Sequence, residues 1–214
     1  SEMCIRDRYN GRGLIMLVTA VEPRRKSLSA LYIDGEYALK LDTMTLMKNG
    51  IRPGTDITDE QLRALIEESD ARRAKERALY LITYRDHSKK ELTDKIRRTC
   101  SQQAAEDAAQ QMEELGLVDD EEYARKYAAE LLRKKHMSPR GIAYKLREKG
   151  IDSNTIDIIT EELECDPYSE IQAVLEKKYS GYKDDEKIKR RAIAALQRLG
   201  WSWSDIKSAM NDEY

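Results

Sequence analysis

The sequence predicts a mainly α protein in which tandem three-helix repeats form an elongated solenoid, preceded by a small N-terminal antiparallel β-sheet. Three observations predict it. From about Asp59 onward the chain resembles itself at a spacing of fifty residues, the mark of stacked supersecondary units. Residues 17–42 alternate apolar and polar with a period of two around Asp34-Gly35, a strong hairpin signal. Charged residues make up 36% of the 214-residue chain, well above the roughly 25% of an ordinary domain, as expected of small units with much surface and little core.

Residues 1–15 show no apolar periodicity and are set aside as a leader outside the fold, with Met16 the expected start. In the sheet, Val18, Ala20 and Glu22 lead to a basic turn at 23–26; Leu28, Ala30 and Tyr32 form a second run, and Tyr37, Leu39 and Leu41 a third. Asp42 caps a short helix over 44–48 that Asn49-Gly50 stops, and Arg52-Pro53-Gly54 turns the chain. Thr58 with Gln61 makes a capping box, and nothing from Gln61 to Arg85 interrupts the helix that follows. The expected domains are thus a small β domain at 16–58 and repeats at 59–118, 119–165 and 166–214.

Each repeat reads as three helices. They fall at 72–85, 88–99 and 101–115 in the first copy, and at 120–135, 139–149 and 153–163 in the second. Fifty residues pair Ser88 with Ser138, Leu92 with Ile142, Ile96 with Leu146, Arg97 with Arg147 and Gly150 with Gly200. Ser88 and Ser138 are natural N-caps, with Pro139 at the first helical position and Gly150 past the last turn. The third copy is looser, with a longer link at 179–185, as terminal repeats often are.

The formal net charge of -2 hides strong segregation. Residues 72–98 hold ten Lys/Arg against four Asp/Glu, and 99–122 hold none against eight. Residues 125–149 hold nine against two, 150–176 none against eight, and 177–198 eight against three. The first two helices of each copy are therefore basic and the third acidic. Segregation at the repeat period forfeits local ion pairs and favours a long charged binding surface.

Other chemistry is sparse. There is no Gly-Lys-Ser/Thr, and Gly11-Arg12-Gly13 lies in the leader. His87 and His136 fall at equivalent helix junctions and read as structural; Asp119 or Asp120 reads as a helix cap, with Glu121 and Glu122 complementing the dipole. Cys4, Cys100 and Cys165 lack metal-ligand spacing and read as reduced thiols of a cytosolic protein. No apolar run reaches membrane-spanning length. No nucleophile has a visible base, so an enzyme is not expected, nor a metal or cofactor. Trp201 is expected in the core and Trp203 at the surface as a partner anchor. Tyr80, Tyr84, Tyr123, Tyr127 and Tyr144 fall on or beside helical core stripes, so most are expected in the core with wet hydroxyl ends, and stacking on nucleic-acid bases is the minority reading for any one of them. Helices 139–149 and 153–163 mimic a DNA-reading helix-turn-helix, but the second carries Asp157, Glu161 and Glu162 and no cation, so it would set like charge against phosphate.

Three stretches, TYRDHSKKELTDKI, GLVDDEEYARKYA and SPRGIAYKLREKGID, resemble the RecX family, bacterial regulators of the RecA recombinase. The likeness extends to YIDGEYALKLD and GTDITDEQLRALIEE and covers Met16 to Tyr214, although Ser138-Pro139 stands where the family usually carries Gly-Pro. The resemblance implies a non-enzymatic protein, taken here as a monomer, whose partners are RecA and the RecA filament on single-stranded DNA. Such proteins lie in the filament groove and restrain its growth, ATP hydrolysis, strand exchange and cleavage of the SOS repressor. The cations expected to carry that contact are Arg72, Arg73, Lys89, Lys90, Arg97, Arg98, Arg133, Lys134, Lys135, Arg140, Lys145 and Arg147. The alternative is a sequence-independent DNA-binding repeat protein, and weak direct contact with DNA stays open in either case; a scaffold for another partner is a third reading.

Overall fold

The structure, a computed structural model, describes residues 15–25 and 27–211. Residues 1–14 of the leader expected at 1–15, with Cys4 and Gly11-Arg12-Gly13, lie outside the described residues, as do Lys26 of the first turn and 212–214; Ile15, set aside with the leader, instead pairs with Thr58 inside the sheet. The chain forms two compact units, one of residues 15–85 with 92–117 and one of 86–91 with 118–211.

The first unit opens with β1 (Ile15–Pro23), β2 (Leu28–Ile33) and β3 (Glu36–Asp42), then α1 (Thr43–Lys48) and β4 (Asp56–Thr58). The sheet is antiparallel in the order β3-β2-β1-β4. It thus has four strands where three were expected. β4 pairs Ile57 with Met16 and Thr58 with Ile15, and its three residues are too few to show a period. Asp34 (φ 50°) and Gly35 (φ 89°) make the expected hairpin turn, both central residues left-handed.

The strand phases also differ from expectation. Register shifts leave Thr19 unpaired on β1 and Ala38 unpaired on β3, so each strand changes face part-way along. The core takes Val18 and Val21 from β1, Leu31 and Ile33 from β2, and Leu39 and Leu41 from β3, joined by Leu46, Ile57 and Leu65. Tyr32 and Tyr37 pair off that face, edge to face at 5.9 Å. A strict alternation cannot survive one inserted residue.

The helix signals hold. Asp42 caps α1 by accepting the Thr45 N–H. Thr58 and Gln61 complete both halves of the capping box at the start of α2 (Asp59–Ile82), which runs unbroken for 24 residues. α4 (Gln102–Glu114), capped by Ser101, packs on α2 through Ala104, Ala105, Ala108 and Ala109, all buried; small side chains let the two backbones approach closely. Helix α3 (Lys89–Ile96) contributes Lys89, Lys90 and Glu91 to the second unit and the rest to the first.

The second unit contains α5 (Asp120–Lys135), α6 (Pro139–Glu148) and α7 (Ser153–Glu162), then α8 (Pro167–Lys178), α9 (Glu186–Arg198) and α10 (Trp203–Asn211). Two cores fill it. Ala124, Ala128, Leu131, Ile142, Leu146 and Ile156 build one; Ile171, Leu175, Ala192, Leu196, Trp201 and Ile206 build the other, and Leu199 packs against both. Asp119 before α5 and Ser138 before Pro139 of α6 cap as expected, and the structure adds Asp152 before α7 and Asp166 before α8.

One junction occurs twice at the repeat period. The buried Ser88 hydroxyl accepts the Glu91 N–H and donates to the Lys149 carbonyl at 2.7 Å. The Ser138 hydroxyl accepts the Gly141 N–H and donates to the Leu199 carbonyl at 3.3 Å, which the Ser138 N–H also reaches at 3.0 Å. Each serine thus satisfies one orphan donor at a helix start and one orphan acceptor at the end of the next repeat's middle helix. The glycine after that acceptor has positive φ, 82° at Gly150 and 93° at Gly200. A Cβ on Gly200 would lie 2.5 Å from the Ser138 Oγ and 2.6 Å from the Gly141 nitrogen, and one on Gly141 would collide with the Leu199 carbonyl oxygen. Only glycine fits at either place.

Candidate functional site

The twelve cations expected at the binding face fall into two sets. Several are occupied within the fold. Arg72 holds Asp42, a carboxylate 1% exposed, at 3.0 Å, and so braces the cap of α1. Arg73 donates to the Thr99 carbonyl at 3.0 Å beside Asp70. The Lys90 Nζ reaches the Glu148 carbonyl at 3.2 Å, while Lys89 donates its backbone N–H, not its ammonium, to Asp120. Arg97 sits 3.6 Å from Asp94, and Lys134 donates to Glu130 at 2.7 Å.

The expectation that segregated charge forfeits local pairs is therefore corrected. Arg125 also pairs with Glu121, Lys126 with Glu122 and Lys145 with Glu148. Carboxylates inside the basic blocks, such as Glu130 and Glu148, and those at their edge, Glu121 and Glu122, stand one helical turn from a cation, where exposed pairs form at little cost. In the last of these pairs the Lys145–Glu148 hydrogen bond raises the lysine pKa and lowers the glutamate's, holding both charged.

The second set has no ion-pair or hydrogen-bond partner for the side chain among the described residues: Arg98, Arg133, Lys135, Arg140 and Arg147. Two of these line the same groove. Arg140, Gly141, Tyr144, Lys145 and Arg147 of α6 form one wall, with Met137 before them; Gln197 and Arg198 of α9 with Gly200 and Trp201 form the other, enclosing about 660 Å³. No carboxylate lines it. Arg198 was not among the twelve, and only its Nε is engaged, by the Ala194 carbonyl of its own helix.

The groove is set rigidly. Trp201, 4% exposed as expected of a core residue, donates its indole N–H to the His136 carbonyl at 2.9 Å. His136 ends α5 in the left-handed conformation and binds Glu170 of α8 through Nδ1 at 2.7 Å, a junction role as expected. Gly141 and Gly200 then fix how closely the two walls approach.

The tyrosines divide. Tyr123 is buried and Tyr127 partly so, stacked at 5.7 Å, as expected. Tyr80, Tyr84 and Tyr144 contradict the expectation: each is exposed, Tyr144 at 59%. Tyr80 on α2 and Tyr144 on α6 lie beside the buried i, i+3, i+4 face of their helices, and Tyr84 lies just past the end of α2. Trp203 is exposed as expected. Burial raises the Cys100 and Cys165 thiols, so both stay protonated at neutral pH. Among the described residues no helix is long and apolar enough to cross a membrane and no acidic, Cys or His cluster could hold a metal.

Three family models match this chain, described as the first, second and third three-helix domains of RecX, over residues 74–111, 119–158 and 164–210. The regulatory protein RecX of Caldanaerobacter subterraneus subsp. tengcongensis is 30% identical over 202 residues, which span 92% of this chain and 99% of that one. The chain belongs to the RecX family. The regulatory protein RecX of Clostridium acetobutylicum is 28% identical, across 91% of this chain and 95% of its own. A crystal structure of a regulatory protein RecX covers 92% of this chain at a TM-score of 0.59 and 19% identity; that of RecX from Lactobacillus salivarius covers 67% at 0.53 and 21%. These two share the RecX fold with this chain, and the third family model also matches the loosely repeating 164–210.

Proposed function

We propose that this chain is a cytosolic, monomeric regulator that binds RecA and its filament on single-stranded DNA. It restrains ATP hydrolysis, strand exchange and cleavage of the SOS repressor. The observation that carries this reading is a groove whose three guanidiniums, Arg140, Arg147 and Arg198, have no ion pair among the described residues, on the second and third repeats of a RecX-family chain. Charges already satisfied inside the fold have less to gain from a partner, so the contact centres on this groove with Arg133 and Lys135 beyond it, and less on Arg72, Arg73 and Lys90. Several contacts of modest strength repeated along a polymer sum to firm binding.

The test is the DNA-dependent ATPase of RecA with increasing amounts of this chain. The expected result is a dose-dependent fall that Arg140→Glu with Arg147→Glu abolishes while the helical circular dichroism is unchanged. An ATPase rate indifferent to the chain would refute the proposal.

A further inference from the structure

We infer that the groove between α6 and the α9–α10 turn takes single-stranded nucleic acid directly, its guanidiniums on phosphates and Tyr144 against a base. The inference rests on the reading of this groove as the working face, and adds that the ligand within it is nucleic acid. Arg140, Tyr144 and Arg147 stand at i, i+4 and i+7, so they share one face of α6 and climb it over roughly 10 Å. The order is cation, aromatic, cation. Arg198 faces them, Gln197 adds an amide, and no carboxylate lines the space.

This alternation selects among polyanions. A guanidinium fork matches a phosphate with two parallel hydrogen bonds. An acidic peptide could satisfy the arginines equally and accept from the Tyr144 hydroxyl, as Glu148 does, but it would offer nothing flat to the ring face. A nucleic acid strand brings a flat base beside every phosphate, and any base suits because every base has a π-face. The base must be unstacked to meet Tyr144, which favours a single strand over a duplex. Fifty residues earlier the same positions carry Lys90, Asp94 and Arg97, and the position of Arg198 is held by Glu148. There Asp94 sits against Arg97, and the aromatic is missing.

The experiment is fluorescence anisotropy of a labelled oligothymidylate of about 15 nucleotides, without RecA, across a salt series. Arg140→Ala with Arg147→Ala is expected to weaken binding at least tenfold and to reduce the salt slope by about 1.4, the value for two phosphate contacts. Tyr144→Ala should weaken binding about tenfold with the slope unchanged, and Tyr144→Phe should bind as the parent does, because stacking needs the ring and not the hydroxyl. All three side chains are at the groove surface, so folding is preserved and circular dichroism checks it. Binding unaffected by these substitutions overturns the inference. So does competition by polyglutamate as effective as by unlabelled oligothymidylate, which would mark an acidic peptide as ligand, or equal affinity for a blunt duplex. If oligothymidylate binding survives the substitutions while inhibition of RecA is lost, this inference fails and the RecA reading stands; loss of RecA inhibition alone as a property of the parent chain fails only the latter.

Discussion

In both α3 and α6 the residue before the helix is a buried serine that accepts the N–H three residues on and donates to a carbonyl 61 residues later. Beyond that shared frame the two helices diverge. The third helical position is Glu91 in α3, where its carboxylate takes the Lys149 ammonium at 3.2 Å. In α6 it is Gly141, pressed against the Leu199 carbonyl. Arg97, just past the end of α3, is paired, whereas Arg140 and Arg147 of α6 have no such partner among the described residues. One repeat uses charged side chains to join its neighbour, and the next joins by backbone contact while its Arg140 and Arg147 stay outside the junction. The difference teaches that serine and glycine carry the fold while the groove is written in residues the fold does not need.

The comparison can be broken first at the third helical position. Gly141→Ala forces a methyl into the Leu199 carbonyl and should destabilise the second unit by about 2–3 kcal/mol, whereas Glu91→Ala should cost about 1 kcal/mol. Equal effects on thermal unfolding would mean that the two junctions are built alike. Ser88→Ala and Ser138→Ala each remove a cap and a buried donor, so both should cost about 1–2 kcal/mol by denaturant titration. A serine that proved neutral would contradict the common frame. Tyr144→Asp gives α6 the residue that α3 carries; it should change stability by less than about 0.5 kcal/mol and still weaken inhibition of RecA in the ATPase assay.

The smallest effect concerns pH. The carboxyls of Asp152 and Asp166 cap α7 and α8, and their hydrogen bonds from Thr155 and Ser169 hold both below the ordinary aspartate value. A group with a depressed folded pKa stabilises fully above its unfolded value and loses that contribution as pH falls through the folded one. Thermal unfolding between neutral pH and about pH 3 should therefore decline less steeply in Asp152→Asn with Asp166→Asn than in the parent. An unchanged slope would show that the caps contribute nothing titratable.

Much of the helical frame was legible because its signals are local. Ser138-Pro139, Gly150, Asp119 and the Thr58–Gln61 box each specify a helix end within four residues, and the structure puts the ends there. The sheet was less legible. Single inserted residues at Thr19 and Ala38 reverse the strand faces, and β4 is hidden inside the approach to a helix cap. The groove was half legible. Arg140, Lys145 and Arg147 stood out by composition, but which cations are already occupied depends on carbonyls and carboxylates distant in sequence, such as Asp42 for Arg72 and the Glu148 carbonyl for Lys90. Arg198 escaped notice because only packing brings it opposite Arg140. The period held the missing signal, since Arg198 stands where Glu148 does one repeat earlier, two residues before the junction glycine.

The most direct measurement compares charge reversal on the two middle helices in one assay, the DNA-dependent ATPase of RecA. Arg140→Glu with Arg147→Glu on α6 should abolish inhibition, while Lys90→Glu on α3 with Arg97→Glu just past its end should leave most of it, with both variants checked for native helicity. Loss of inhibition from α3 and its retention with α6 reversed would contradict the account.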